Sequence, residues 1–129
     1  MVSITKIFEF AAAHNLPNHK GLCKNFHGHN FKLEITITGP IQKEGAETGM
    51  IMDFGNLKEA VSWVLLDFDH CNLNKYFYNP TAEIMVGCIG EAIQKIFCER
   101  KLKDIKITRV RLWETSTSYA TWEVDDAKC

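Results

Sequence analysis

At 129 residues, with 46% apolar and 24% charged positions, the chain has the length and composition of one globular domain spanning 1–129. Its formal net charge of −1 offers no electrostatic footprint for nucleic acid or an acidic membrane surface. No apolar run approaches the roughly 18 residues of a membrane span, and the opening Met1-Val-Ser-Ile-Thr-Lys6 does not read as a signal peptide, so a cytoplasmic protein is expected.

In chain order, residues 3–13 read as a strand: Ile4, Phe8 and Phe10 share a parity that continues through Ala12 to His14. Asn15 to Gly21 is a loop by its Pro, Asn and Gly content, and His19 within it reads as solvated. A second strand runs from about His29 to Gly39, with Phe31, Leu33, Ile35 and Ile37 on one face and Lys32, Glu34, Thr36 and Thr38 on the other. Gly39-Pro40 breaks it, a polar turn follows over Lys43 to Gly49, and Met50 to Asp53 is short and extended, with Asp53 placed to cap a helix.

Leu57, Ala60, Val61, Val64, Leu65 and Phe68 then form the stripe of an amphipathic helix. Asp67 to Pro80 is a loop, and Asn79-Pro80-Thr81 supplies the next helix start. Met85, Cys88, Ile89, Ala92, Ile93 and Ile96 repeat the helical spacing, which puts Cys88 on a packing face. Lys101 to Asp104 ends this helix. Ile105 to Glu114 and Tyr119 to Val124 make a final hairpin about Thr115-Ser-Thr-Ser118. The order ββααββ predicts an α+β domain, a four-stranded antiparallel sheet with both helices on one face and open edges that favour assembly with further copies.

The five cysteines are odd in number and form no C-x-x-C pair, so neither a disulfide framework nor a zinc knuckle fits, and they read as reduced thiols. The histidines carry more chemistry. His27 and His29 are two apart on a strand, hence on one face and roughly 6–7 Å apart at Cα. His14 ends the preceding strand, so antiparallel pairing would bring all three imidazoles together. Three histidines with an open fourth position suit a zinc ion that polarises a substrate hydroxyl or carbonyl.

Cys23 lies just upstream of His27. It either completes a closed, structural four-ligand site or acts as a thiol base beside the metal, and spacing does not separate the two. Asp69-His70 caps a helix end or holds the proton of that thiol. Glu114 is either an ordinary hairpin charge or a carboxylate at the foot of a pocket, able to accept the guanidine-like N–H pair of a pterin.

With these residues in view, the chain resembles the 6-pyruvoyl-tetrahydropterin synthase family, and within it the bacterial 6-carboxytetrahydropterin synthases of queuosine biosynthesis. The matching pieces are Phe10-Ala-Ala-Ala-His14, Cys23 with His27-Gly-His29-Asn30, Thr48-Gly-Met-Ile-Met-Asp-Phe54, Asp69-His70 followed by Asn72-Leu-Asn74, Asn79-Pro-Thr-Ala-Glu83, and Trp113-Glu-Thr115. Each is weak alone, but they run in order over almost the whole chain. The resemblance implies the tunnelling fold, assembled as a hexamer from two stacked trimers with sites between subunits. It implies one zinc ion per subunit on His14, His27 and His29, Cys23 as proton acceptor, and Asp69 and His70 as its relay. Glu114 would anchor the pterin, and Thr81 and Glu83 would help line its pocket.

The substrate so implied is 7,8-dihydroneopterin triphosphate. Its product is either 6-carboxy-5,6,7,8-tetrahydropterin with acetaldehyde and triphosphate, or a 6-pyruvoyl pterin with triphosphate alone. The three residues between Cys23 and His27, and the ending Arg109-Val-Arg-Leu-Trp-Glu-Thr115, resemble the bacterial carboxy branch. Cys71 is not needed by that mechanism. Two rival readings are a pterin- or purine-binding module without catalysis and a structural zinc protein.

Overall fold

A computed structural model describes residues 1–124 of the chain; Cys129, one of the expected thiols, lies outside them. Strand β1 (Ser3–His14) pairs antiparallel with β2 (His27–Thr38), which pairs with β4 (Lys106–Thr115), which pairs with β5 (Ser118–Glu123). Helices α1 (Phe54–Leu65) and α2 (Ala82–Glu99) lie between these two hairpins in sequence and pack on one face of the sheet. The α+β tunnelling-fold reading is therefore borne out, with one amendment. A two-residue strand β3 (Cys71–Asn72) pairs parallel with β1, so the sheet is mixed and runs β3-β1-β2-β4-β5. Two residues carry no readable alternation, which is why this segment reads as loop in the sequence.

The β1–β2 register sets the rest of the molecule. Phe10 faces Phe31, Ala12 faces His29 and His14 faces His27. Cross-strand partners share a face, so the apolar alternation that buries Leu33, Ile35 and Ile37 also turns the histidines toward the helices. Phe10 and Phe31 stack at 5.0 Å between the core and the histidines. Against this face α1 buries Leu57, Ala60, Val61, Val64 and Leu65, and α2 buries Met85, Val86, Ile89, Ile93 and Phe97. The α2 stripe is rotated from the expected one: Val86 and Phe97 replace Cys88 and Ile96, and Cys88 is exposed. Gly90 explains the rotation. A Cβ there would collide with the Trp122 ring, so α2 packs directly on β5 at this residue.

Both expected caps form. Asp53 accepts the N–H groups of Gly55 and Asn56, and Thr81 accepts that of Ile84. In the polar turn ahead of α1, Glu47 accepts from the Asp53 N–H and from the side chains of Gln42 and Asn56, and these bonds hold its carboxyl below the usual carboxylate range. Cys23, Cys71 and Cys88 are free thiols, as expected of them. No helix among the described residues is long and apolar enough to cross a membrane.

Candidate metal centre and adjoining cavity

His14 closes β1, and His27 and His29 open β2. Their ring centroids lie 4.7, 5.1 and 4.8 Å apart, and one nitrogen from each ring falls within 4.8 Å of the other two. All three Nε2 atoms are buried and have no hydrogen-bond partner. Buried polar atoms ordinarily find one, so three orphans aimed at one point mark a place for a cation. The opposite nitrogens are anchored: His14 Nδ1 donates to the Pro80 carbonyl at 2.8 Å and His27 Nδ1 to the Asn25 carbonyl at 2.7 Å. A carbonyl only accepts, so each ring carries its proton on Nδ1 and turns the Nε2 lone pair inward.

Burial pushes His14 below the ordinary histidine range, against the opposing pull of the Pro80 bond and the Glu114 charge. Burial likewise lowers His29, with Glu114 again opposing. Both effects favour neutral imidazoles, the form that coordinates metal. The Phe31 ring, its centroid 5.9 Å from that of His14 and 5.5 Å from that of His29, closes the core side. Three neutral nitrogens on one side of an open position fit the donor set of a catalytic metal site.

The other expected residues are distributed around this cluster. Cys23 sits half-buried in a 3-10 turn, Leu22–Lys24, whose Cys23 carbonyl accepts the Leu16 N–H at 2.8 Å. Its thiol is not one of the clustered ligand atoms. Asp69 and His70 form a pair at 2.8 Å, with Asp69 Oδ1 also accepting the Ala11 N–H and the His70 N–H donating to the Ala11 carbonyl. The pair thus clamps the edge of β1 rather than capping a helix. His70 adopts a left-handed φ of 59°. With His29, Cys71 and Phe26 it lines a cavity of about 550 Å³, which the Cys23 side chain does not reach. Burial pushes the Cys71 thiol up, away from reactivity.

Glu114, near the end of β4, places Oε1 3.4 Å from His29 Nε2 without hydrogen-bond geometry. Thr81 spends its hydroxyl on capping α2, and Glu83 is exposed in that helix's first turn. Both follow Pro80, so the start of α2 lies at the histidine end of the sheet. His19 is an exposed loop residue that accepts the Gly21 N–H, in keeping with its solvated reading.

The sequence pattern described as 6-pyruvoyl tetrahydropterin synthase matches residues 3–125. The chain belongs to that family. Among its relatives, the 6-carboxy-5,6,7,8-tetrahydropterin synthase of Haemophilus influenzae is 34% identical over 145 aligned positions, covering 95% of this chain and 99% of the relative. The dihydroneopterin monophosphate aldolase of Pyrococcus furiosus is 41% identical over 70% of this chain and 72% of its own. The solved structure of Caenorhabditis elegans 6-pyruvoyl tetrahydropterin synthase superposes with a TM-score of 0.80 at 25% identity, covering 96% of each chain.

Within this 6-pyruvoyl tetrahydropterin synthase family member, the structure adds three partners that side-chain pattern does not single out. Two are main-chain carbonyls, those of Pro80 and Asn25, and a carbonyl has no sequence signal. The third is Asn74, whose only signal is its place in Asn72-Leu-Asn74. Its amide bonds the Asn15 backbone twice, at 2.9 Å each, directly beside His14.

Proposed function

We propose that this chain is a zinc-dependent 6-carboxy-5,6,7,8-tetrahydropterin synthase of queuosine biosynthesis, acting as a single cytoplasmic domain over residues 1–129. It would convert 7,8-dihydroneopterin triphosphate and one water to 6-carboxytetrahydropterin, acetaldehyde and triphosphate. The observation that carries this reading is the convergence of three buried, unpartnered Nε2 atoms at the end of the β1–β2 pair. The relative from Haemophilus influenzae supports the carboxy product, as does the short spacing from Cys23 to His27.

When bound on His14, His27 and His29, one zinc ion per subunit would polarise the substrate's side-chain hydroxyls and acidify the adjacent C–H. The chain's own groups then manage protons and orientation. Cys23 takes the proton from the side-chain carbon, and a proton returns to the ring, so the ring is reduced internally and no nicotinamide is required. Asp69 and His70 hold and pass the thiol's proton. Glu114 accepts the paired N–H groups of the pterin edge, where a carboxylate matches two parallel donors. Thr81 and Glu83 line the pocket at the start of α2. The sites would lie between subunits of a homohexamer, two stacked trimers, as the family resemblance implies.

A second reading, the 6-pyruvoyl synthase, draws on the Caenorhabditis elegans neighbour. Product analysis separates the two. Zinc-loaded protein incubated with 7,8-dihydroneopterin triphosphate is expected to yield a 6-carboxy pterin by mass spectrometry together with acetaldehyde. A 6-pyruvoyl pterin without acetaldehyde would select the other branch. No turnover of either kind would leave a pterin-binding module.

A further inference from the structure

We infer that Asn74 is a positioning residue for the histidine cluster: it locks the main chain beside His14 to the segment that presents the Pro80 carbonyl. The inference rests on reading the three histidines as a metal site. Asn74 lies in a 3-10 turn, Leu73–Lys75, pinned by the fully buried Leu73 and by the Asn72 side chain, which accepts the Asn74 N–H at 3.0 Å. From there its amide reaches across to β1. Oδ1 accepts the Asn15 N–H at 2.9 Å, and Nδ2 donates to the Asn15 carbonyl at 2.9 Å. One side chain thereby satisfies both main-chain groups of the residue that follows His14.

The same Nδ2 also contacts the Tyr78 carbonyl at 3.5 Å, two residues before Pro80. The path closes into a ring. His14 is joined covalently to Asn15, Asn15 to Asn74 by two hydrogen bonds, Asn74 to Pro80 along the 74–80 loop, and the Pro80 carbonyl back to His14 Nδ1 at 2.8 Å. That last bond sets the tautomer and direction of the ring, and partners of this kind tune how firmly a ligand holds metal. Without Asn74 the segment keeps the β3 pairing upstream but loses the bonds to Asn15 and Tyr78, so the Pro80 carbonyl is held less firmly opposite His14. Aspartate would keep the shape and the bond from Asn15 N–H but lose both donations, leaving a carboxylate against the Asn15 carbonyl.

The test measures metal binding, not turnover. Full-length protein is stripped with chelator and titrated with Zn²⁺ and Co²⁺ against a chromophoric competitor. The native chain is compared with Asn74→Ala, Asn74→Asp and His14→Ala, and with Ile93→Val, a buried trim about three turns along α2. Both Asn74 variants are expected to weaken metal binding about tenfold or more, within the range for loss of an outer-shell partner, and to alter the Co²⁺ absorption envelope. Ile93→Val should do neither. Native affinity in both Asn74 variants, with binding lost in His14→Ala, would overturn the inference and leave the metal site standing. A loss in Ile93→Val as large as in Asn74→Ala would also overturn it, by making the effect one of general destabilisation. No binding by the native chain, or undiminished binding by His14→Ala, would instead bring down the metal site itself.

Discussion

His14 and His70 are the same residue type at two sides of one site, placed under opposite constraints. His14 is fully buried, its Nδ1 fixed on a carbonyl and its Nε2 left open toward two neighbouring rings. His70 has 82% of its side chain exposed, leans on Asp69, and sits on a left-handed backbone. A ligand ring needs one tautomer and one direction, which packing supplies. A proton-carrying ring needs access to its partner, and backbone strain of the kind seen at His70 concentrates at functional positions. The contrast separates a rigid, inward-aimed end from an open corner; under the proposed function these are the coordinating and the acid–base parts, and the variants below test that assignment.

The largest effect is expected from the rigid end. His14→Ala removes one of three clustered nitrogens, and its loss of metal affinity should exceed the roughly 10–100-fold typical of an outer-shell partner. Metal analysis of the purified variant, with turnover alongside, checks this. Full metal content would show that the cluster is only a packed histidine group. Cys23→Ala tests the proposed acid–base chemistry. It should retain its metal while turnover falls by roughly 10²–10⁴-fold, the usual contribution of a positioned proton acceptor. Loss of metal and of thermal stability together would revive the closed, four-ligand structural site.

A pair of glycine substitutions sharpens the contrast further. His70 and Lys101 are the two non-glycine residues with positive φ among those described, at 59° and 58°. Left-handed backbone costs a residue with a Cβ roughly 1–2 kcal/mol, partly offset by the extra freedom glycine has when unfolded. His70→Gly and Lys101→Gly should each therefore raise stability slightly, by up to about 1 kcal/mol in denaturant melts. Only His70→Gly should lose turnover. If both variants turn over like the native enzyme, the Asp69–His70 pair is a clamp on β1 and nothing more.

Much of this arrangement was legible in the residues, because it follows from period two. Phe10, His14, His27, His29 and Phe31 belong to two alternating runs, and alternation plus a tight antiparallel register is enough to converge the histidines. What escaped has equally plain causes. Strand β3 is two residues long and is held by its pairing with β1, which only the folded chain reveals. Cys88 falls within the helical spacing of α2 yet points outward, because the helix rolls to seat Gly90 on Trp122. The Pro80 and Asn25 carbonyls that orient two of the rings belong to the backbone, and Asn74 acts on backbone in turn. Such contacts depend on where loops are laid, and no side-chain pattern encodes them.

The smallest effect is a slope in pH. Burial holds His14 and His29 below the ordinary value of 6.5 in the folded chain. Above that value both rings are neutral whether folded or not, and they add nothing to the pH dependence. As the pH falls below about 6.5, the unfolded chain takes up protons that the buried rings resist, so ν_U exceeds ν_N and stability rises with pH across this window. Metal-free protein should accordingly melt at progressively lower temperature from about pH 6.5 downward, until the folded rings also protonate. His14→Ala should flatten that slope, since it removes one ring and the crowding it imposes on His29. Loading the metal should steepen it, because protons then compete for the same Nε2 lone pairs. A slope in the same window that His14→Ala leaves untouched would assign the titration elsewhere and take the buried cluster out of the acid response.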